Sequence, residues 1–124
     1  MKTEARSAGD RAEDRALAYF EGLGWKLIER NFLCKAGEVD LILEDPKGTV
    51  VFVEVKYRAN LAYGAPQEFV GGGKQVKMGR AALFFIKSKG FKFKSGNYRF
   101  DVAAAGPETL EHIENAFSFD NYTL

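Results

Sequence analysis

Two apolar stretches decide the fold of this chain, Gly37-Glu38-Val39-Asp40-Leu41-Ile42-Leu43 and Val50-Val51-Phe52-Val53-Glu54-Val55-Lys56. Both are rich in β-branched and aliphatic residues, which is typical of strands. Asp45-Pro46-Lys47-Gly48 lies between them and has the composition of a turn. The two stretches therefore predict a β-hairpin.

Charged residues stand inside these apolar strands, and alternation brings them together. Side chains alternate between the two faces of a strand, so Glu54 and Lys56 share a face. On the first arm, Val39 and Leu41 share one face, and Asp40 takes the opposite one. If Asp40 lies beside Glu54, two carboxylates and one ammonium converge. Burying charges is costly unless they are paired or bind a metal, and two adjacent acids bind a hard divalent cation through oxygen.

A simpler interpretation of the second arm is also open. Glu54 and Lys56 can be outward-facing polar residues that pair with each other, and a bare Glu-x-Lys in a strand favours this interpretation. The Gly-Glu-Val-Asp sequence of the first arm shifts the balance toward a metal site. In such a site Lys56 would orient a water or stabilise charge on a phosphate.

Length and composition indicate one globular domain over residues 1–124. Hydrophobic residues make up 46% of the 124 residues and charged residues 28%, which suits one core but not two. No apolar run is long enough to span a bilayer, and Cys34 is the only cysteine. We therefore expect a cytoplasmic protein without a disulfide or a membrane partner. Because His112 is the only histidine, a multi-histidine zinc site is excluded.

The charge is unevenly distributed although the net charge is only +1. Between Phe69 and Phe100 there is no Asp or Glu, and this segment holds eight of the 18 basic residues. Such a segment indicates a surface that meets a phosphate backbone, and it equally suits a solvated helix face followed by a charged loop. The candidate nucleic-acid-binding residues are Lys74, Lys77, Arg80, Lys92 and Lys94.

Periodicity predicts the remaining elements. Apolar residues at helical spacing predict helices over residues 7–23 and 74–89. Strands are predicted over residues 25–33 and 98–105, with a short edge strand over residues 110–113. The order is a helix, three strands, a helix and one or two strands. It predicts an α/β domain with a mixed sheet flanked by helices.

Three other polar residues receive an interpretation from their positions. Glu13 lies one residue off the apolar stripe of the first helix. It is either a solvated acid, which its position favours, or a third carboxylate that leans toward the hairpin. Gln75 follows Lys74 at the start of the second helix, where free backbone N–H groups favour phosphate. Asp101, inside the strand over residues 98–105, is predicted to be a structural partner for a basic residue.

Several blocks of the chain, in a fixed order, resemble the YraN-like uncharacterised bacterial protein family. The blocks include Gly-Glu-Val-Asp, Val-Phe-Val-Glu-Val-Lys and the closing Asn-Ala-Phe. Together they cover nearly the whole chain, at residues 9–16, 24–25, 29–31, 37–42, 51–56, 63–66, 74–75, 99–102 and 115–117. The resemblance is therefore far more specific than Glu-x-Lys alone.

The YraN-like proteins are similar in fold to archaeal Holliday-junction resolvases and restriction endonucleases, the PD-(D/E)-x-K superfamily. The resemblance implies a single restriction endonuclease-like domain with an αβββαβ core and a Mg²⁺ site, which Mn²⁺ would also fill. The metal ligands that it implies are Glu13, Asp40, Glu54 and the backbone carbonyl of Val55. It further implies that Lys56 assists the attacking water or the transition state, and that Gln75 supports the site.

The function implied is that of a Mg²⁺-dependent DNA endonuclease, selective for branched DNA in repair or recombination. A homodimer is expected with it, because a junction offers two equivalent strands. The alternative is a non-catalytic nucleic-acid-binding or adaptor protein that retains the nuclease fold. A third interpretation is a small interaction domain that binds no nucleic acid, and the acids together with Lys56 count against it.

Overall fold

The structure is a computed structural model that describes residues 7–59, 72–88 and 98–117. Its elements are α1 (Ala8–Gly22), β1 (Lys26–Cys34), β2 (Gly37–Glu44), β3 (Val50–Tyr57), α2 (Gly72–Ser88), β4 (Tyr98–Ala105) and β5 (Leu110–Phe117). The strands form one sheet in the order β1-β2-β3-β4-β5. Neighbours are antiparallel except β3 and β4, which are parallel. The prediction of a mixed sheet with helices is confirmed, and the order αβββαβ is extended by β5.

Element boundaries follow local chemistry that was visible in the sequence. Ser7 caps α1, because its Oγ accepts a hydrogen bond of 3.0 Å from the N–H of Asp10. The predicted short strand over residues 110–113 is longer in the structure and ends at Phe117. The ring of Phe117 stacks on Phe100 of β4 with 5.2 Å between centroids. This apolar contact explains why β5 continues past its predicted end.

The sheet separates two apolar cores. The α2-side core consists of residues from α2 and the sheet face beneath it: Phe32, Val39, Ile42, Val50, Phe52, Met78, Ala81, Ala82, Phe85 and Phe100. The α1-side core lies on the other face: Ala16, Phe20, Trp25, Leu41, Leu43, Val51, Val53 and Ala103. Residues of β3 contribute to both cores, and Glu54 directly follows four buried apolar residues of this strand. Neither helix of the described ranges is long and apolar enough to cross a membrane.

The predicted face of Val39 is wrong. Leu41 lies in the α1-side core, whereas Val39 packs in the α2-side core with Phe32, its partner on β1. Asn31, next to Phe32, has a φ of 56°, a left-handed conformation that interrupts the alternation of β1. Asn31 lies opposite Asp40 in the pairing of β1 with β2, and the residues of β2 on the two sides of Asp40 therefore point to opposite faces of the sheet.

Asp101 is the centre of a buried polar network on the α1 side. It is fully buried, and its carboxylate accepts hydrogen bonds from Arg99 Nε at 2.9 Å and from the N–H of Asn115 at 2.9 Å. His112 Nε2 lies 2.7 Å from its other oxygen. Burial opposes the charged form, but these hydrogen bonds outweigh it and hold the pKa of Asp101 below its usual value. The prediction that Asp101 is a structural partner for a basic residue is confirmed.

The start of β2 lies directly against the backbone of α2. A Cβ built on Gly37 would be 2.8 Å from the carbonyl oxygen of Lys77 and 3.1 Å from its carbonyl carbon. Both of these are backbone atoms and cannot rotate away. The absence of a side chain at Gly37 therefore sets how closely the first turns of α2 approach the hairpin.

We expect Gly37→Ala to lower the free energy of unfolding by about 1–3 kcal/mol, because the new methyl group overpacks this contact. Urea unfolding followed by circular dichroism measures the change. Gly22→Ala is the control, since its Cβ would meet nothing within 4 Å, and it should be neutral or slightly stabilising. Equal stability of Gly37→Ala and wild type would contradict the close approach of β2 and α2.

Candidate active site

The two hairpin strands stop pairing where the acids begin. Residues of β2 and β3 pair regularly from Glu44 and Val50 as far as Leu41 and Val53. One residue further along this register, Asp40 lies opposite Glu54. Asp40 Oδ2 accepts a hydrogen bond of 2.8 Å from the N–H of Val55. The carboxylate thus replaces a main-chain acceptor of the ladder, which holds it between the parting strands.

Glu54 is a charged residue within the core. It is 2% exposed, and its Oε2 lies 3.0 Å from Nζ of Lys74 at the start of α2. Burial opposes the ammonium form of Lys74, but the charge and hydrogen bond of Glu54 outweigh it and raise the pKa of the amine. The interpretation of Glu54 and Lys56 as an outward-facing pair is wrong, because Glu54 is buried and its ion pair is with Lys74. Lys74 therefore has a partner that the sequence analysis did not assign to it.

Asp40 binds a proton more tightly than an ordinary aspartate does. Burial and the nearby charge of Glu54 raise the pKa of Asp40 to about 7, and the charge of Glu13 acts in the same direction. The N–H of Val55 and the ammonium of Lys74 lower the pKa but do not offset these effects. Asp40 therefore exchanges its proton near neutral pH. A carboxyl group whose pKa lies near neutral pH readily exchanges its proton for a cation.

Glu13 is held in place by an arginine of β1. Its side chain is 12% exposed, and its Oε1 lies 2.7 Å from Nε of Arg30. Arg30 also binds Asp14 through Nη2 at 2.6 Å. The interpretation of Glu13 as a solvated acid is wrong, because the side chain is largely buried and its charge acts on Asp40. Arg30 was missed by the sequence analysis, although it lies within the block over residues 29–31.

The other predicted residues of the site lie near these acids on the same elements. Lys56 follows Glu54 by two residues on β3, which places it on the same face by alternation, and it is half-buried. Within the described ranges, no ion pair joins Lys56 to Asp40 or Glu54. Gln75 is half-buried on α2, directly after Lys74. The roles predicted for Lys56, Gln75 and the carbonyl of Val55 remain predictions.

The predicted nucleic-acid-binding residues divide into two groups. Lys77 and Arg80 are exposed on α2, and Lys77 lines a groove of about 480 Å³ together with Lys74. The other lining residues of this groove are Leu33, Gly37, Glu38, Gly73 and Met78. The groove opens beside the Glu54–Lys74 pair. Lys92 and Lys94 lie outside the described residues.

The acids do not form a three-ligand metal centre as they stand. Over residues 7–59, 72–88 and 98–117, no three Asp, Glu, His or Cys side chains are grouped closely enough to hold an ion together. Asp40 and Glu54 are adjacent, whereas Glu13 is tied to Arg30 on the α1 side. The arrangement is thus a pair of carboxylates with a third acid nearby.

The chain is similar to proteins of one family along most of its length. The profile of the uncharacterised protein family UPF0102 matches residues 12–105. A UPF0102 protein of Geobacter sulfurreducens is 46% identical over 114 residues, covering 88% of this chain and 87% of that protein. A UPF0102 protein of Cupriavidus pinatubonensis is 38% identical over 120 residues, covering 97% and 92%. Among solved structures, a repair endonuclease from Pyrococcus abyssi aligns with a TM-score of 0.46 and 18% identity, over 84% of this chain and 41% of that chain.

The raised pKa of Asp40 makes stability depend on pH in a defined direction. Between about pH 4 and 7 the folded protein keeps a proton on Asp40 that the unfolded chain has lost, so stability falls as the pH rises through this range. Because Asn cannot ionise, the stability of Asp40→Asn does not fall with pH for this reason. Relative to wild type, we expect the variant to gain on the order of 4 kcal/mol between pH 4 and pH 8, since each unit of pKa corresponds to about 1.4 kcal/mol.

Urea unfolding at several pH values, with EDTA present, measures this difference. EDTA removes divalent cations, which would otherwise compete with the proton at Asp40. If the difference in unfolding free energy between Asp40→Asn and wild type does not change with pH, the raised pKa of Asp40 is contradicted.

Proposed function

This chain belongs to the uncharacterised protein family UPF0102, the YraN-like family, and we propose that it is a metal-dependent nuclease that hydrolyses phosphodiester bonds in DNA. The observation that carries the proposal is the adjacent pair of the half-buried Asp40 and the buried Glu54, with the pKa of Asp40 raised to about 7. A purely structural acid has no need of such a neighbour. Two neighbouring acids, one of them buried, favour a cation between them.

The donor set fits Mg²⁺, with Mn²⁺ as a substitute. Asp40 and Glu54 offer only oxygen, which hard cations prefer. Mg²⁺ is usually held by one or two carboxylates and keeps waters and phosphate oxygens as its other ligands. A pair of acids is therefore sufficient, with Glu13 and the carbonyl of Val55 as further proposed donors. When bound, the ion would lower the pKa of a water and stabilise charge on the phosphate.

The chain's own residues would prepare the remaining parts of the reaction. Val55 holds Asp40 in one orientation through its N–H, and Arg30 fixes Glu13. Lys56, on the same face of β3 as Glu54, would position the attacking water or stabilise the transition state. Gln75 would support the substrate side of the site from α2. These roles follow the resemblance residue by residue.

The basic residues of α2 would hold the nucleic acid. Lys77 and Arg80 are exposed on the helix whose first turn reaches Glu54. A phosphate backbone that contacts them would run past the acids. We propose branched DNA as the substrate and a homodimer as the active assembly, since paired incisions in a junction need two equivalent sites.

One observation favours the alternative of a non-catalytic binding protein. Glu54 and Glu13 already have cationic partners from the chain itself, Lys74 and Arg30. A protein that had lost its metal would retain the fold by such internal pairing. This alternative predicts DNA binding without cleavage under any divalent metal.

Cleavage of duplex, single-stranded and four-way-junction DNA with Mg²⁺ or Mn²⁺ tests the proposal. We expect Asp40→Asn, Glu54→Gln and Lys56→Met each to lower the rate by about 100-fold or more, because each removes a group that acts on the phosphate or its metal. End-labelled substrates under single-turnover conditions give the rates.

Matched controls are a pair of facing residues on β1 and β2, at the end of β2 away from Asp40. Glu44→Gln and Lys26→Met, a half-buried acid on β2 and an exposed lysine on β1, should cleave like wild type. If all variants cleave alike, a contaminating nuclease is responsible and the site assignment is wrong. If no variant cleaves and all bind DNA, the binding protein replaces the nuclease as the better account.

DNA affinity should also depend on salt through α2. We expect Lys77→Ala and Arg80→Ala each to reduce the slope of log K against log salt by about 0.9 on duplex DNA, since each removes one phosphate contact. Fluorescence anisotropy over a range of KCl concentrations measures the slope. Lys26→Ala should leave the slope unchanged, and a similar loss there would contradict a specific role of α2.

A further inference from the structure

The ion pair between Glu54 and Lys74 joins two groups of very different accessibility. The side chain of Glu54 is 2% exposed, whereas that of Lys74 is 47% exposed. Glu54 is fixed by β3 in the middle of the sheet, with pairing to β4 at its own position. Lys74 extends to it from the first turns of α2. Of the two partners, Lys74 is the one that can withdraw into solvent.

The ammonium of Lys74 lies where a cation bound to Glu54 would have to approach. It is 3.0 Å from Oε2, and its charge also acts on Asp40. Two cations held by the same pair of acids would repel each other strongly in this partly buried setting. The ammonium of Lys74 and a divalent ion therefore compete for the same place beside the carboxylate of Glu54.

We propose that Lys74 is a displaceable counter-cation, which neutralises Glu54 in the metal-free protein and leaves it for the substrate phosphate when a divalent ion binds. The inference rests on the proposed metal site. It assigns to Lys74 a positioning role that neither the ion pair alone nor the family resemblance specifies. Metal binding would then convert a structural lysine into a phosphate-binding one.

The groove beside the site provides the destination of Lys74. Lys74 and Lys77 both line it, three residues apart on α2, and residues at this spacing share a helix face. A released ammonium at Lys74 would extend the positive lining that Lys77 begins. The two lysines therefore form a matched pair, in which only Lys74 also contacts the buried acid.

Calorimetric titration of the full chain with Mn²⁺, without DNA, tests the proposal. We expect Lys74→Met to bind Mn²⁺ about tenfold more tightly than wild type, because the ion no longer competes with an ammonium. Lys74→Arg keeps the charge and should remain within about twofold of wild type, as should Lys77→Met. Circular dichroism establishes that each variant is folded.

A second measurement uses the wild-type protein and does not depend on a variant. The side-chain nitrogen signal of Lys74, followed by NMR with ¹⁵N-labelled lysine, should shift when Mg²⁺ is added, whereas that of Lys77 should not. An unchanged Lys74 signal in protein that binds Mg²⁺ would overturn the inference.

The possible outcomes separate this inference from the proposed function. Tighter binding by Lys74→Met supports it, also where wild type itself binds no Mn²⁺. Equal binding by Lys74→Met and wild type overturns it and leaves the metal site standing. If no variant binds Mn²⁺, the inference and the metal-dependent nuclease fail together.

Discussion

The central physical constraint of this structure is the burial of Glu54 on the middle strand of the sheet. A carboxylate in such a place is tolerated only with a cation close by. Lys74 meets this need at 3.0 Å, and it does so because α2 packs against the start of β2 without an intervening side chain at Gly37. The burial of Glu54 therefore requires the first turn of α2 to lie close to the hairpin. The groove beside the site is lined by the residues of this approach.

Asp101 and Asp40 are in opposite chemical states, and the contrast shows what distinguishes the site. Asp101 receives hydrogen bonds from Arg99 and Asn115 and lies against His112, so the pKa is lowered and the group is a stable anion. Asp40 accepts a backbone hydrogen bond from Val55, but it is partly desolvated and faces the charge of Glu54, so its pKa is raised to about 7. A structural role requires that a buried carboxylate such as that of Asp101 has hydrogen-bond partners for both oxygens. The incomplete compensation of Asp40 is typical of functional sites.

The sequence predicted what depends on local periodicity and missed what depends on tertiary approach. Alternation along the hairpin was enough to place Asp40 beside Glu54, and the strand over residues 98–105 matches β4. Alternation failed at Val39, because the left-handed conformation of Asn31 lies on a different strand. Nor does it indicate that Lys74 reaches Glu54 or that Arg30 reaches Glu13, since these pairs join elements far apart in the chain. For Glu13 the position in α1 left two interpretations and favoured the solvated one, and only the resemblance to the family favoured the third carboxylate.

The two internal cations of the site differ in how easily they can be displaced. Arg30 binds Glu13 at 2.7 Å and Asp14 at 2.6 Å, so its guanidinium is held from two sides. Lys74 has a flexible stem and is 47% exposed, and an ammonium gains strong hydration on release. A divalent ion would therefore enter more easily at Glu54 than at Glu13. On this argument the proposed metal would be centred on Asp40 and Glu54, and Glu13 would become a donor only once Arg30 releases it.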